Sequence, residues 1–358
     1  MAKASKKNIY LVGIDISATS VKVVQLGQAQ GRYRVDHYAI EPLQPGAVDN
    51  ATIHDTQVVG KVIEQALKKA GIRPRGTGAA IAVPHSGVYT TTIQVPGSMK
   101  DSDEDIEAQV ELEAGNHIPY PRDDVRMDFS VMGPSKREDG EEFLEVFVAA
   151  ARKEVAQPLQ EAIEVADLTV EVMDVEPLVI ENAYGVVAEQ LQISPTELVA
   201  LVDIGATSIS VSVMQAGMGI FRRDQPFNGG VPERELRQQL GVSQEEALLT
   251  LRRNELPSHF EESVMDPYRD TLIQNIKRLL QVFYSGTEHS AVDRILLTGG
   301  GANTRALPEA IEDQMGIPTH VANPLAGMSL GSGLKGADLT ADAPALFLAT
   351  GLALRSFA

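Results

Sequence analysis

Asp15-Ile16-Ser17-Ala18-Thr19-Ser20 and, 188 residues further on, Asp203-Ile204-Gly205-Ala206-Thr207-Ser208 agree at five of six positions. Each follows an apolar run, Ile9 to Ile14 in one copy and Leu198 to Val202 in the other. Each precedes an alternating run, Val21, Val23 and Leu26 or Ile209, Val211 and Val213. Apolar run, small polar turn and alternating run read as strand, tight turn and strand, so the chain carries a duplicated β-hairpin. An Asp at the end of a buried strand, followed by small residues whose backbone N–H groups converge, suits Mg²⁺ held beside a polyphosphate. Two such turns facing one another would clamp one nucleotide.

The rest of the sequence reads outward from these turns. Residues 8 to about 88 give three strands, an amphipathic helix over Gln57 to Lys69 and a buried strand over Ala79 to Val83. From Glu197 a hairpin, a third strand, helices and a buried strand over Arg294 to Leu297 follow the same plan. Between the two lies a stretch of different texture, residues 88–167, with strands over Tyr89 to Val95, Val125 to Met132 and Phe143 to Ala151, an acidic helix over Asp103 to Ala114 and a helix over Lys153 to Ala166. The expected organisation is a first lobe over 1–194 carrying an inserted α/β subdomain at 88–167, a second lobe over 195–343, and a final helix in 344–358 packing back on the first lobe.

Composition narrows the function. The 358 residues suffice for two cores. Lys+Arg 31 against Asp+Glu 49 gives a net charge of −18, which argues against nucleic acid and anionic membrane surfaces as direct partners. Without cysteine the chain has no disulfide, thiolate metal site or Cys nucleophile, in keeping with a reducing compartment. Lys3, Lys6 and Lys7 precede an apolar stretch that stops at Asp15, too short for a secretory signal, and no run approaches a membrane span. Asn50-Ala51-Thr52 then reads as an ordinary turn. A soluble cytoplasmic protein is expected.

Further residues join the two aspartates. Lys22, on the returning strand, is placed to reach phosphate oxygens as a mobile point charge. Thr298-Gly299-Gly300-Gly301-Ala302-Asn303, after a buried strand, lets a flat ligand lie on the backbone. Glu176 opens a helix beside the expected cleft and is the candidate for orienting a water against a γ-phosphate; the competing reading is an acidic first-turn residue matching the helix dipole. There is no GxxxxGK[ST] and no GxGxxG opening a helix, which removes the P-loop and argues against a dinucleotide fold.

In this order the first turn (Asp15 to Lys22), the helix from Asp174-Val175-Glu176-Pro177, the second turn, Gly229-Gly230, the glycine turn and a last helix over Ala345 to Leu354 resemble the actin-like ATPase superfamily. The segments Gly13 to Lys22, Glu113-Ala114-Gly115-Asn116-His117-Ile118-Pro119-Tyr120-Pro121 and Val202 to Thr207 resemble, more narrowly, the PilM family of type IV pilus assembly, related to FtsA. The resemblance implies an actin-like, ribonuclease H-like two-lobed ATPase fold with an FtsA-type insert, binding ATP and Mg²⁺. Asp15 and Asp203 would face the Mg²⁺, mainly through water. Ser17, Thr19, Ser20, Lys22, Gly205 and Thr207 would surround the phosphates, Gly300 and Gly301 would border the adenosine, and Lys277 would flank the base or ribose. Relatives place a Thr after the Gly-Gly pair; here Val231-Pro232-Glu233 stands there, with Glu233 nearest the ribose.

The partner so implied is the cytoplasmic N-terminal tail of PilN, and through it PilO and PilP, with pilus motor or platform proteins and self-association as further contacts. On this resemblance the chain would be a nucleotide-controlled adaptor, peripheral at the inner membrane through PilN, with slow ATPase activity at most. The alternatives are an FtsA-like filament former and a small-molecule kinase of the same superfamily. FtsA attaches itself by an amphipathic C-terminal helix after a linker, whereas here the sequence ends at Arg355-Ser356-Phe357-Ala358, directly after the last expected helix. A kinase would need a dedicated carboxylate base in the first lobe beyond those named, and none stands out.

Overall fold

The computed structural model describes residues 10–358 apart from 50, 100, 101, 138, 139 and 254; Lys3, Lys6, Lys7, Ile9 and Asn50 lie outside the described residues. Val12–Ile16 (β1) and Ser20–Ala29 (β2) pair antiparallel, with Asp15 opposite Lys22 and Ile16 opposite Val21. Successive side chains of a strand point to opposite faces, and both faces here are covered. Val12, Ile14, Val21 and Val23 enter one core, and Val24 and Leu26 another. This double coverage is why the strands read as nearly unbroken apolar runs.

Arg32–Pro42 (β3) completes the meander, and a small hairpin follows, Val48–Asp49 (β4) with Thr52–Ile53 (β5). Thr56–Ala70 (α1) starts where Asp55 accepts the N–H groups of Gln57 and Val58 and stops at Gly71, whose φ of +74° suits glycine. Gly78–Val83 (β6) then runs parallel to β1.

The insert is a three-stranded sheet with one helix: Val88–Pro96 (β7), Asp103–His117 (α2), Val125–Lys136 (β8) and Glu142–Arg152 (β9), in the order β7-β9-β8. Its core is its own, built from Ile93, Val95, Ile106, Val110, Leu144 and Val146. The next helix, Lys153–Val165 (α3), packs elsewhere. Val155, Ala156, Leu159 and Ile163 join the α1 core of the first lobe, and Gly60 of α1 sits so close that a Cβ there would lie 2.4 Å from the Cβ of Val165.

Thr169–Val175 (β10) closes the first sheet, and Glu176–Gln190 (α4) leads out of it. The second lobe comprises Val199–Ile204 (β11), Ser208–Gln215 (β12), Met218–Pro226 (β13), Val231–Leu240 (α5), Gln244–Arg253 (α6), Asp266–Gly286 (α7), Arg294–Thr298 (β14), Leu307–Met315 (α8) and Thr319–Val321 (β15). Ser329–Leu330 (β16), Gly336–Asp342 (α9) and Phe347–Ala353 (α10) end the chain. The sheets run β10-β6-β1-β2-β3-β16 and β13-β12-β11-β14-β15, so five strands follow the same order in each and the duplication extends to topology. Helix α5 begins at Val231, with Pro232 in its first turn, where its missing N–H costs no hydrogen bond.

The last helix, expected over Ala345 to Leu354, is divided. Pro344 lies in a 3₁₀ turn, Ala343–Leu346, and its carbonyl accepts from Gly299 N–H (2.9 Å) and Thr298 Oγ1 (3.0 Å), so the backbone turns toward the second lobe before α10 starts. By length and apolar composition Gly336–Phe357 would suffice to cross a membrane, contrary to the expectation that no run approaches a span. Leu339, Leu346, Ala349, Leu352 and Ala353 are instead buried within the protein. Helix α10 lies on β1 so closely that a Cβ on Gly13 would stand 2.2 Å from the Ala349 carbonyl oxygen. It crosses α4 the same way, Gly351 leaving 2.3 Å between a would-be Cβ and the Val179 oxygen.

Candidate functional site

The two hairpin turns are closed by the same bonds. Ser17 N–H donates to the Ser20 carbonyl (3.0 Å) and Gly205 N–H to that of Ser208 (2.9 Å). Leu43 N–H donates to Thr19 (2.8 Å) and Phe227 N–H to Thr207 (3.0 Å), which pins the end of each lobe's third strand onto its turn. In the second copy Gly229 N–H also donates to Ala206 (2.8 Å), and any Cβ on Gly229 would stand 2.2 Å from the Gly205 oxygen, so the Gly229-Gly230 turn packs directly on the hairpin.

The copies differ in charge. Lys22 Nζ donates to Asp15 Oδ2 (2.8 Å) and to Ser17 Oγ (3.1 Å). The register position opposite Asp203 holds Ser210, which brings no cation. Burial at the floor of the cleft pushes the Asp203 carboxyl up to about 6; Arg222 and Lys22 pull it down, and Glu176 and Asp15 push it further up.

The glycine turn after β14 packs against this aspartate. Gly299 has φ +84°, and a Cβ there would lie 2.1 Å from Asp203 Oδ1. A Cβ on Gly301 would meet Ile204 Cγ2 at 2.3 Å, whereas Gly300 faces open space. Two of the three glycines therefore allow close packing, and the middle one leaves the cleft wall flat.

A cleft of about 1980 Å³ opens between the lobes. Asp15, Ser17, Thr19, Ser20 and Lys22 line it from the first lobe, and Asp203, Gly205, Thr207, Glu233, Gly300 and Gly301 from the second, with Glu176 between. Lys277 does not line it. Helix α7 reaches the cleft at its first turn, where Tyr268 donates its hydroxyl to the Gly229 carbonyl (3.2 Å). Lys277 is nine residues further along, about 13 Å at the helical rise.

Glu176 is held at both oxygens. Oε2 accepts His85 N–H (2.7 Å), and Oε1 accepts Arg222 Nη2 (2.8 Å). Arg222, in β13, also donates to Ser212 Oγ (3.1 Å) and pairs with Asp224 (3.3 Å). It was not among the sequence candidates; the available signal was the basic pair Arg222-Arg223 in an otherwise acidic protein. The apolar part of the cleft lining, Leu251, Leu256, Met265 and Tyr268, was also missed, because apolar positions in and between helices read as core.

Among the described residues no group of three or more His, Asp or Glu side chains is placed to hold a metal by itself. Two carboxylates on facing turns fit a hard cation that keeps most of its water, such as Mg²⁺.

The model of the family described as type IV pilus assembly protein PilM matches residues 13–357. A structure of a PilM-PilN type IV pilus biogenesis complex is similar at 24% identity and a TM-score of 0.74, covering 98% of this chain and 99% of that one. The ethanolamine utilization protein EutJ from Carboxydothermus hydrogenoformans is similar at 14% identity and a TM-score of 0.55, covering 96% and 89%. The architecture is the actin-like two-lobed α/β fold.

Proposed function

The chain belongs to the type IV pilus assembly protein PilM family, and from this we propose that it is the ATP-binding cytoplasmic component of the pilus assembly machinery at the inner membrane. The observation that supports it best is the pair of equivalent turns lining one cleft, each closed by the same hydrogen bond and each carrying a strand-end aspartate. Backbone N–H groups of the turns, with Ser17, Thr19, Ser20, Thr207 and Lys22, would hold the phosphates of ATP. Glu233 would lie on the ribose side and Gly300 and Gly301 along the adenosine. Asp15 and Asp203 would hold Mg²⁺ mainly through water, the ion supplying charge neutralisation of the polyphosphate.

The partner in this reading is the N-terminal cytoplasmic tail of PilN, in keeping with the complex of the similar structure. The tail would lie in the groove between the insert and the first lobe and connect the protein to PilO and PilP. The insert's outer strands, β7 and β8, offer main-chain donors and acceptors to an extended peptide. Titration calorimetry tests both halves: ATP with magnesium, and a synthetic PilN tail, should each bind the purified protein. Absence of heat in either titration removes the corresponding half.

A further inference from the structure

The Glu176–Arg222 pair joins parts of the molecule that the cleft separates. Glu176 is fixed to the first lobe through His85 N–H, at the exit of β6, and Arg222 to the second through Ser212 and Asp224. Both side chains are largely shielded from solvent, Glu176 at 15% and Arg222 at 13% exposure, and both line the cleft. Arg222 is also the strongest influence of opposite charge on Asp203, at the turn proposed to hold the phosphates.

The guanidinium is incompletely satisfied. Its two Nη groups are engaged, yet the buried Nε–H has no hydrogen-bond partner. A planar guanidinium with a donor left over matches a phosphate oxygen pair better than a single carboxylate oxygen.

We propose that Glu176–Arg222 is a latch between the lobes, broken when Arg222 exchanges Glu176 for the terminal phosphate of a bound nucleoside triphosphate. This rests on the nucleotide reading above and adds a regulation to it. A diphosphate ends one phosphate short and leaves the latch shut; a triphosphate opens it. Arg222 is then a phosphate-sensing residue, and Glu176 its competitor for the guanidinium.

The two partners of one ion pair should therefore affect affinity with opposite signs. Titration calorimetry with ATP and with ADP, in magnesium, reads this on the full chain. Glu176→Gln keeps an acceptor for His85 N–H but frees Arg222, and should tighten ATP by about threefold or more with ADP unchanged. Arg222→Gln should weaken ATP by about tenfold or more, as expected for a charge-assisted hydrogen bond, again sparing ADP. Arg222→Lys, which keeps the charge without the fork, should fall between and serves if the Gln variant does not fold. If both positions move ATP affinity in one direction, or ADP follows ATP, the pair is structural only and the latch is overturned while nucleotide binding stands. If the unmodified protein binds neither nucleotide, the nucleotide reading itself falls and takes the latch with it.

Discussion

Lys22 Nζ lies 2.8 Å from Oδ2 of Asp15, its cross-strand neighbour, and the same register position opposite Asp203 is filled by the neutral Ser210. The duplicated hairpin thus gives one turn a cross-strand ion pair and the other a carboxylate with no cross-strand cation, drawn on by Arg222 of its own lobe and by Lys22 across the cleft. The two aspartates should respond differently to mutation.

Lys22→Met leaves Asp15 without its cation in a largely buried site. A stability loss of about 1–3 kcal/mol is expected, together with weaker ATP binding. Denaturant unfolding and calorimetry measure the two, and a variant unaffected in both would show that the pair is incidental.

For Asp203 the expected stability change has the opposite sign. Burial raises its carboxyl from 3.8 to about 6 in the folded, ligand-free protein. The folded state therefore holds more protons than the unfolded one between those values. The stability this group contributes is fully present below about pH 4 and is lost as pH rises through about 6. Asp203→Asn should accordingly raise stability at pH 7 by about 1–3 kcal/mol, flatten the slope between pH 4 and 6, and still weaken Mg·ATP binding. An unchanged pH profile in the variant would contradict the assignment.

Helices α4 and α10 approach backbone to backbone at Gly351, where a Cβ would stand 2.3 Å from the Val179 carbonyl oxygen. Gly351→Val must push them apart, at a cost of about 1–3 kcal/mol or more. The melting temperature reads this directly; an unshifted transition would mean that the crossing yields freely.

Val88 and Ala151 are register partners, so the insert leaves and re-enters the first lobe at neighbouring points. Replacing residues 89–150 by a short Gly-Ser bridge should abolish binding of the PilN tail and leave ATP affinity intact. In the full chain, hydrogen exchange should show tail-dependent protection first in the insert and the adjoining first lobe. Protection confined to residues 197–340 would place the tail elsewhere.

The hairpins, the succession of elements along the first lobe and helix α1 were legible because their signals are local: alternation, a repeated turn and helical periodicity. What escaped the sequence depends on which surfaces meet. Nothing in the amphipathic pattern of α3 tells whether it faces the insert, its sequence neighbour, or α1, which ends more than eighty residues earlier. Arg222 reads as a strand-face cation until α4 brings Glu176 to it. Lys277 has a suitable side chain on a suitable helix, and only the length of α7 separates it from the cleft. Pro344 looked compatible with a helix start, and the two hydrogen bonds that hold its carbonyl to the second lobe come from residues more than forty positions away.

The attachment of the insert also fixes how a pull on it would travel. Strand β7 issues directly from the short turn His85–Gly87, and β9 continues into α3 without a linker. Both strands are anchored at the same end of the β7–β9 ladder, so a force on a docked tail would be shared by two main-chain connections lying side by side. The segment next in line is His85, whose N–H donates to Glu176. Traction on the insert would thus reach the floor of the cleft along the main chain to His85 and across its one hydrogen bond to Glu176, so that a docked tail would load the cleft as well as the insert.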